Sequence, residues 1–146
     1  MAREFAGHLF RFICEIRPDL VNGYPVICQP QMRYRSAGSL PLNRHGQGPF
    51  CRFRIPRDIS LPGVYVLSLD DQPMYVGETI NLSRRFNLGY GNISPRNCFM
   101  NGQATNCKIN HQLLDLAKVG RYVALWFLST NDRKALESAL RIALKP

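Results

Sequence analysis

The sequence has no long hydrophobic run: its longest uninterrupted apolar stretch, Tyr122 to Leu128, covers seven residues. A helix that spans a bilayer needs about 20 apolar residues, so we do not expect an integral membrane protein. The N-terminus also lacks the hydrophobic core of a signal peptide, because His8 and Arg11 interrupt its apolar residues. These absences predict a cytoplasmic protein.

Cysteines with metal-ligand spacing are missing as well. The five Cys residues are odd in number, widely spaced and contain no CxxC pair, which disfavours a disulfide framework and a zinc ribbon. A zinc site would have to combine Cys98, Cys107 and His111, with His45 or Cys51, at spacings that match no standard finger. In a reducing cell we expect the thiols to act as small buried hydrophobes.

Internal repeats, heptads and low-complexity tracts are absent too. The 146 residues suffice for about one domain. Hydrophobic residues make up 45% and charged residues 20% of the chain, which is typical of a globular protein with a core. We therefore expect a folded chain rather than a disordered or multidomain one.

Acidic residues are few and unevenly spread. The chain has 19 Lys and Arg against 10 Asp and Glu, a formal net charge of +9, and 15 of the 19 cations are Arg. No acidic residue occurs between Leu20 and Arg57 or from Asn81 to Leu114. Because guanidinium groups bind phosphate oxygens in bidentate fashion, this excess favours nucleic acid as the partner. The alternative is a basic domain whose arginines are scattered over several faces and bind no polyanion.

The first 61 residues mix short apolar pieces with six prolines, which indicates strands and loops. Alternation from Phe50 to Ile55 predicts a short strand with Arg52 and Arg54 on one side. Beyond residue 61, the apolar runs Val64–Leu69 and Met74–Val76 flank turn residues and predict an antiparallel hairpin. The other predicted elements are a helix from Asn81 ended by Gly89 and Gly91, a helix over Ile109–Val119, a central strand over Tyr122–Leu128, and a terminal helix capped by Thr130 or Asn131 with Leu136, Ala139, Leu140 and Ala143 inward.

Gly63-Val64-Tyr65, with Tyr75-Val76-Gly77 following ten residues after the first Tyr, resembles the two tripeptides that name the GIY-YIG endonuclease superfamily. An Arg ten residues beyond the second Tyr and a Glu in a late helix strengthen the resemblance. It covers residues 62–146 and implies an α+β fold with a small, mostly antiparallel three-stranded sheet flanked by helices. Residues 1–61 then form an irregular, β-rich and basic N-terminal extension, and residues 89–110 a polar insertion.

The resemblance implies a role for each matching residue. Tyr65 orients or deprotonates the attacking water with Tyr75 beside it, and Gly77 lets the chain pass closely beneath the site. Arg85 holds the scissile phosphate, and Glu137 binds one divalent cation, which we take to be Mg²⁺ or Mn²⁺. Such a cation needs only one or two carboxylates besides substrate phosphates. A tyrosine base, whose pKa is ordinarily about 10, needs a cationic neighbour.

Competing interpretations exist for these residues. The two tyrosines can be ordinary strand aromatics. Glu137 lies four residues from both Arg133 and Arg141, so it can instead form an ion-pair ladder on a helix surface. Glu78, directly after the second tripeptide, is a rival carboxylate for the metal.

The chain also departs from the family pattern. Many members have a His or Tyr one helical turn after the motif Arg, where this sequence has Gly89, and we assign the role to the neighbouring Tyr90. Many members carry an Asn about a dozen residues after the metal-binding Glu, and none occurs in the nine residues after Glu137. A truncated chain, a substitute Asn or a weakened active site would account for this difference.

The polar insertion and the basic extension are the expected DNA-contacting parts. Arg pairs with guanine edges and Asn or Gln with adenine edges, although Asn and Gly are also ordinary turn residues. The candidate DNA-binding residues are Arg52, Arg54, Arg84, Arg96, Asn97, Gln103, Asn106 and Lys108.

A compact chain with such an insertion resembles the site-specific restriction endonucleases of the superfamily. We therefore predict a metal-dependent endonuclease that hydrolyses phosphodiester bonds of double-stranded DNA. One such centre faces one phosphate at a time, so a homodimer is one way to cut both strands, and the sequence leaves the oligomeric state open. A repair or mobile-element nuclease of the same family and a catalytically degenerate DNA-binding protein are the alternatives.

Overall fold

A computed structural model describes residues 1–33 and 40–146 of the chain. The strands are β1 (Ala2–Phe5), β2 (His8–Ile16), β3 (Leu20–Val21), β4 (Tyr24–Pro25), β5 (Gly63–Leu69), β6 (Gln72–Thr79) and β7 (Val123–Ser129). The helices are α1 (Leu82–Arg85), α2 (Ala104–Lys118) and α3 (Arg133–Leu144), with 3-10 turns at Pro30–Arg33 and Pro95–Cys98 and a π-helical turn at Phe86–Tyr90. Within these residues no helix combines the length and apolarity needed to cross a bilayer.

The chain forms two compact units, each built from separate stretches of sequence. The first, which we call the sheet unit, comprises residues 1–16, 55–85 and 122–146. The second, the insert unit, comprises residues 17–54 and 86–121 and interrupts the sheet unit twice. This division differs from the expected boundary at residue 61, because the first 16 residues belong with the sheet.

The main sheet has five antiparallel strands in the order β1-β2-β7-β5-β6. The α+β class is confirmed, whereas the predicted number of three strands is wrong. The two additional strands come from the N-terminal segment, since β2 pairs with β7 from Arg11 opposite Phe127 to Ile16 opposite Val123. β7, the run predicted to be central, is the middle strand of the sheet.

The predicted hairpin is formed by β5 and β6. Its pairing runs from Gly63 opposite Thr79 to Leu69 opposite Gln72, with a bulge after Leu67. Asp70 has a φ of 54°, a left-handed conformation that Asp and Asn adopt more readily than most residues. A tight turn at residues 70–71 therefore fixes the register that places the two motif tripeptides side by side.

All three predicted helices are present, but their first and last residues differ from the predicted ones. Asn81 caps α1, as predicted, because its Oδ1 accepts a hydrogen bond from the Arg84 N–H at 3.0 Å. The chain stays helical through Gly89, which was expected to end the helix. α2 begins at Ala104, five residues earlier than predicted, and the cap of α3 is Asp132.

The alternating segment Phe50–Ile55 is not a strand. Its odd-numbered residues are buried and Arg52 and Arg54 are exposed, as the alternation predicts. Its backbone bonds instead to three different segments: Phe50 forms a bridge with Cys28, the Arg52 carbonyl accepts from the Asp19 N–H, and the Phe53 N–H donates to the Gly91 carbonyl. The alternation therefore predicted which side chains point outward. It did not establish a strand, because a strand also needs a neighbouring strand that completes its backbone hydrogen bonds.

One face of the sheet packs against α3. Alternate residues of the strands pack against Leu140, which is buried, and Leu136, which is partly buried. Two other residues of the predicted apolar stripe, Ala139 and Ala143, are exposed. The other buried members of this core are Phe5, Phe10, Val64, Val66, Val76 and Trp126. Tyr65 and Tyr75 alternate with these valines and therefore project from the opposite face.

Candidate active site

The motif tyrosine Tyr65 and the motif glycine Gly77 lie directly opposite each other on β5 and β6. The ring of Tyr65 covers Gly77 so closely that a Cβ atom on residue 77 would overlap the Cζ and Oη atoms of the phenol. Tyr65 is only 1% exposed, so its ring has little room to move aside. The glycine is required here by the tyrosine on the neighbouring strand.

Tyr75 lies opposite Leu67 and diagonally across from Tyr65, on the same face of the sheet. The two phenol rings have centroids 6.3 Å apart and planes tilted by 34°. Tyr75 is half-buried, and β6 is the outermost strand on its side of the sheet. The two phenols form one aromatic pair at that edge.

Arg141 of α3 connects this aromatic pair to Glu137. Its guanidinium carbon lies 5.1 Å from the centroid of the Tyr75 ring, within the range of a cation–π contact. Its Nε lies 3.6 Å from Oε1 of Glu137. Because α3 packs on the face opposite the tyrosines, this contact runs past the outer strand. Tyr65, Tyr75 and Glu137 are thereby joined in one chain of contacts through an arginine that the motif does not mark.

Glu78, the rival carboxylate, is engaged by another arginine. Its Oε2 accepts a hydrogen bond from Nη1 of Arg133 at 3.0 Å, and the two side chains are 26% and 23% exposed. The ion-pair ladder expected around Glu137 therefore forms with Arg141, whereas Arg133 binds Glu78. Glu137, held at the longer distance of 3.6 Å, is the more available of the two carboxylates.

The remaining predicted catalytic residues lie in different units. Arg85 is the half-buried last residue of α1 in the sheet unit, and its N–H donates to the Asn81 carbonyl at 3.0 Å. Tyr90 belongs to the insert unit, is fully buried and packs edge-on against Phe86 with ring centroids 5.0 Å apart. These surroundings give Tyr90 a core position and lend no support to its assignment as a catalytic residue.

Metal ligands are sparse around this arrangement. Over residues 1–33 and 40–146, no three His, Cys, Asp or Glu side chains are grouped so that they could hold a metal ion. A cation at Glu137 would have one protein carboxylate, which fits Mg²⁺ only where substrate phosphates and waters complete its coordination.

Three of the five cysteines, Cys51, Cys98 and Cys107, are buried as predicted, whereas Cys14 and Cys28 are half-buried. All five thiols are free, and Cys98 and Cys107 lie in an apolar cluster with Phe50 and Ile93. A hydrogen bond between these two thiols lowers the pKa of Cys98 and, together with burial, raises the pKa of Cys107. Burial also raises the pKa of the Cys51 thiol to about 12. The zinc hypothesis for Cys98, Cys107 and His111 is not supported.

The eight candidate DNA-binding residues differ in exposure. Asn97 is half-buried, and its carbonyl accepts hydrogen bonds from Asn43 Nδ2 at 2.6 Å and from the Cys107 thiol at 3.3 Å. Asn106 is 3% exposed, so its side chain is not presented to solvent and does not fit a DNA-contacting role. Six of the eight have exposed side chains: Arg52, Arg54, Arg84, Arg96, Gln103 and Lys108.

Asn43 organises one part of the insert unit, and sequence reasoning missed it. Its Nδ2 donates to the carbonyls of Asn97 at 2.6 Å and Phe99 at 3.2 Å, and its Oδ1 accepts from the His45 N–H at 2.9 Å. A loop from the N-terminal part of the chain is thus fastened to the polar insertion.

Asn110 of α2 likewise joins two segments of the insert unit by hydrogen bonds to their backbone. It is fully buried, and its Nδ2 donates to the carbonyls of Cys51 at 2.9 Å and Tyr90 at 2.7 Å. Its Oδ1 accepts from the Cys51 N–H at 2.9 Å. Neither asparagine has a sequence signal, because spacing does not distinguish a buried Asn from the turn-forming ones around it.

Comparisons with known proteins add no relative, since no family model, no curated protein and no solved structure matches the chain. The function has to be argued from the geometry and chemistry of the residues themselves.

Proposed function

We propose that this protein is a divalent-metal-dependent DNA endonuclease of the GIY-YIG type, which cuts at specific sites as restriction enzymes do. The observation that carries the proposal is the chain of contacts from Tyr65 through Tyr75 and Arg141 to Glu137. Hydrolysis of a phosphodiester needs an ordered water, positive charge near the phosphate and a carboxylate for the metal in one place. At the edge of the sheet at β6, the Tyr75 ring and the Glu137 carboxylate contact the same guanidinium group, which supports the choice of this edge as the site.

The residues take different parts in this proposal. Tyr65 lies fixed over Gly77 at 1% exposure, and in this proposal its hydroxyl orients the attacking water. Arg85 holds the oxygens of the scissile phosphate, where charge develops. Glu137 would hold the divalent cation, which supplies Lewis acidity and stabilises the leaving oxygen. Arg141 contacts both the Tyr75 ring and the Glu137 carboxylate, and it balances the charge of that carboxylate.

Cleavage of plasmid DNA in the presence of Mg²⁺, followed by end sequencing, tests the proposal. We expect the wild type to cut at a recurrent sequence. Tyr65→Phe, Arg85→Ala and Glu137→Gln should each lower the rate about 100-fold or more, because each removes an interaction made with the water, phosphate or metal. Tyr65→Phe keeps the ring over Gly77, and an unfolding midpoint equal to that of the wild type would show that its loss of activity does not arise from misfolding. Glu4→Gln, which removes an exposed carboxylate on β1, should cut at the wild-type rate.

Three results would change the assignment. Absence of cutting by the wild type with Mg²⁺ or Mn²⁺ contradicts the endonuclease proposal. Undiminished cutting by the three folded variants moves the active site elsewhere. Products without a common sequence contradict the restriction type and favour a repair or mobile-element nuclease.

A DNA-binding protein without nuclease activity is the second candidate function. It is favoured by the single carboxylate at the site and by the pairing of that carboxylate with Arg141. This candidate predicts DNA binding that is the same in EDTA and in Mg²⁺, with intact DNA recovered from both.

A further inference from the structure

The net charge is divided very unequally between the two units. Residues 17–54 and 86–121, the insert unit, contain ten Lys and Arg against two Asp, a formal charge of +8. The sheet unit contains nine Lys and Arg against eight Asp and Glu, a formal charge of +1. Almost all of the +9 of the chain therefore belongs to the unit that does not contain the tyrosine pair and Glu137.

Hydrogen bonds hold two basic segments of the insert unit together. Arg44 and His45 follow Asn43, whose Nδ2 donates to the carbonyl of Asn97 at 2.6 Å, and Asn97 directly follows Arg96. The same loop packs so tightly that a Cβ atom at Gly46 would overlap the carbonyl of Cys98. The backbone that carries these cations is thus fixed before any ligand binds, which lowers the entropic cost of binding.

A third basic segment, on α2, joins the same region. The ring Nδ1 of His111 lies 2.8 Å from the Pro49 carbonyl oxygen, and Lys108 lies one helical turn before it on α2. The pKa of His45 is lowered from 6.5 by burial and then by the charges of Arg44, Lys108 and His111. The contact between His111 and Pro49 holds this part of α2 against the loop that carries Arg44 and His45. We call Arg44, His45, Arg96 and Lys108 the basic cluster.

The cations of the basic cluster are not neutralised by the protein. Arg44, Arg96 and Lys108 are exposed and form no ion pair with any acidic residue in the described part of the chain. The acidic residue on α2, Asp115, lies instead 3.3 Å from Nε2 of His111 and 3.9 Å from Nζ of Lys118. A fixed group of like charges repels itself, and a polyanion with regularly spaced charges relieves that repulsion.

We propose that the basic cluster, which lies within the insert unit, binds the phosphate backbone of double-stranded DNA. The choice of DNA rests on the proposed function, whereas the position of the surface rests on the charge division and on the hydrogen bonds that assemble the cluster. The arginines supply bidentate contacts to phosphate oxygens, Lys108 supplies a point charge, and His45 adds a charge only when it is protonated.

Fluorescence anisotropy with a labelled DNA duplex of about 20 base pairs, measured in EDTA, separates binding from cleavage. We expect the double variant Arg44→Ala/Lys108→Ala to weaken binding about tenfold or more, and to reduce the slope of log Kd against log salt by about 2. The matched control Arg57→Ala/Lys134→Ala removes one exposed turn arginine and one exposed helical lysine from the sheet unit. Its affinity should remain within about twofold of the wild type.

Each possible result bears on the proposal. Equal weakening by the two double variants contradicts it, because the charge would then act from the whole surface. Tighter binding of duplex RNA or of vesicles with anionic lipid than of duplex DNA overturns the class of partner. DNA binding with the expected variant pattern but without cleavage in Mg²⁺ contradicts only the nuclease proposal. Wild-type affinity and cleavage in Arg44→Ala/Lys108→Ala contradict only this one.

Discussion

At the scale of single residues, the pair Tyr65 and Gly77 shows how two motif positions depend on each other physically. The phenol of Tyr65 occupies the space that a side chain at residue 77 would need. The sequence separates the two residues by twelve positions, but the register of the hairpin makes them direct neighbours. The two positions should therefore be coupled energetically as well as functionally.

Gly77→Ala should destabilise the protein by about 1–3 kcal/mol, the range for forcing an additional methyl group into a packed site. Combined with Tyr65→Val, which removes the overlapping ring, the same alanine should cost less than it does alone. Urea unfolding of the wild type, the two single variants and the double variant measures this coupling. Free-energy changes that add within about 0.5 kcal/mol would show that the ring moves aside freely.

The positions of Tyr65, Tyr75 and Gly77 could be predicted from sequence because a tight hairpin is a local structure. The contact between Arg141 and Tyr75 could not, since it depends on how α3 crosses the sheet and on how far a long side chain reaches past the outer strand. Sequence spacing identified Arg141 correctly as an ion-pair partner of Glu137, but spacing within a helix contains no information about other elements.

At the scale of secondary-structure elements, local sequence patterns predicted some strands and not others, because they contain no information about which segments pair. β5, β6 and β7 have strong apolar runs that identify them without knowledge of their partners. β2 alternates poorly in burial, and its pairing of Arg11 with Phe127 joins residues far apart in the chain. The five-stranded sheet thus required contacts that no window of sequence contains.

The packing of α2 depends on one buried side chain. Asn110 joins α2 by hydrogen bonds to two other segments of the insert unit, at Cys51 and Tyr90. Asn110→Ala leaves the N–H of Cys51 and the carbonyls of Cys51 and Tyr90 without these partners. We expect a loss of about 2–4 kcal/mol in the free energy of unfolding, since each buried unsatisfied group costs about 1–3 kcal/mol.

Gln112→Ala provides the matched control, because Gln112 is exposed on the same helix and alanine suits a helix well. Denaturant unfolding should leave this variant within about 0.5 kcal/mol of the wild type. A similarly small effect of Asn110→Ala would mean that water or a rearranged backbone replaces all three hydrogen bonds.

At the scale of the whole molecule, the net positive charge could be counted from the sequence, but its unequal division between the two units could not. The two acid-free stretches, 21–56 and 81–114, supply most of the insert unit, although they are separated along the chain. Folding brings these two stretches into one compact unit and leaves a nearly neutral sheet unit. Composition predicted a polyanion as partner, and the fold indicates which part of the molecule should bind it.

The charge division also predicts a pH dependence of DNA binding. In the free protein, burial and the charges of Arg44, Lys108 and His111 lower the pKa of His45 below 6.5. DNA phosphates beside His45 favour its charged form and raise its pKa in the complex. The complex therefore binds more protons than the free protein, and affinity should increase as pH falls through the interval between the two pKa values.

Anisotropy titrations in EDTA from about pH 8 to about pH 5.5 measure this linkage around the normal range of histidine. One proton taken up gives an increase in affinity of less than about tenfold per pH unit. His45→Gln should flatten the dependence, because glutamine has no titrating group in this range. An unchanged slope in His45→Gln would assign the proton uptake to another group and would remove His45 from the basic cluster.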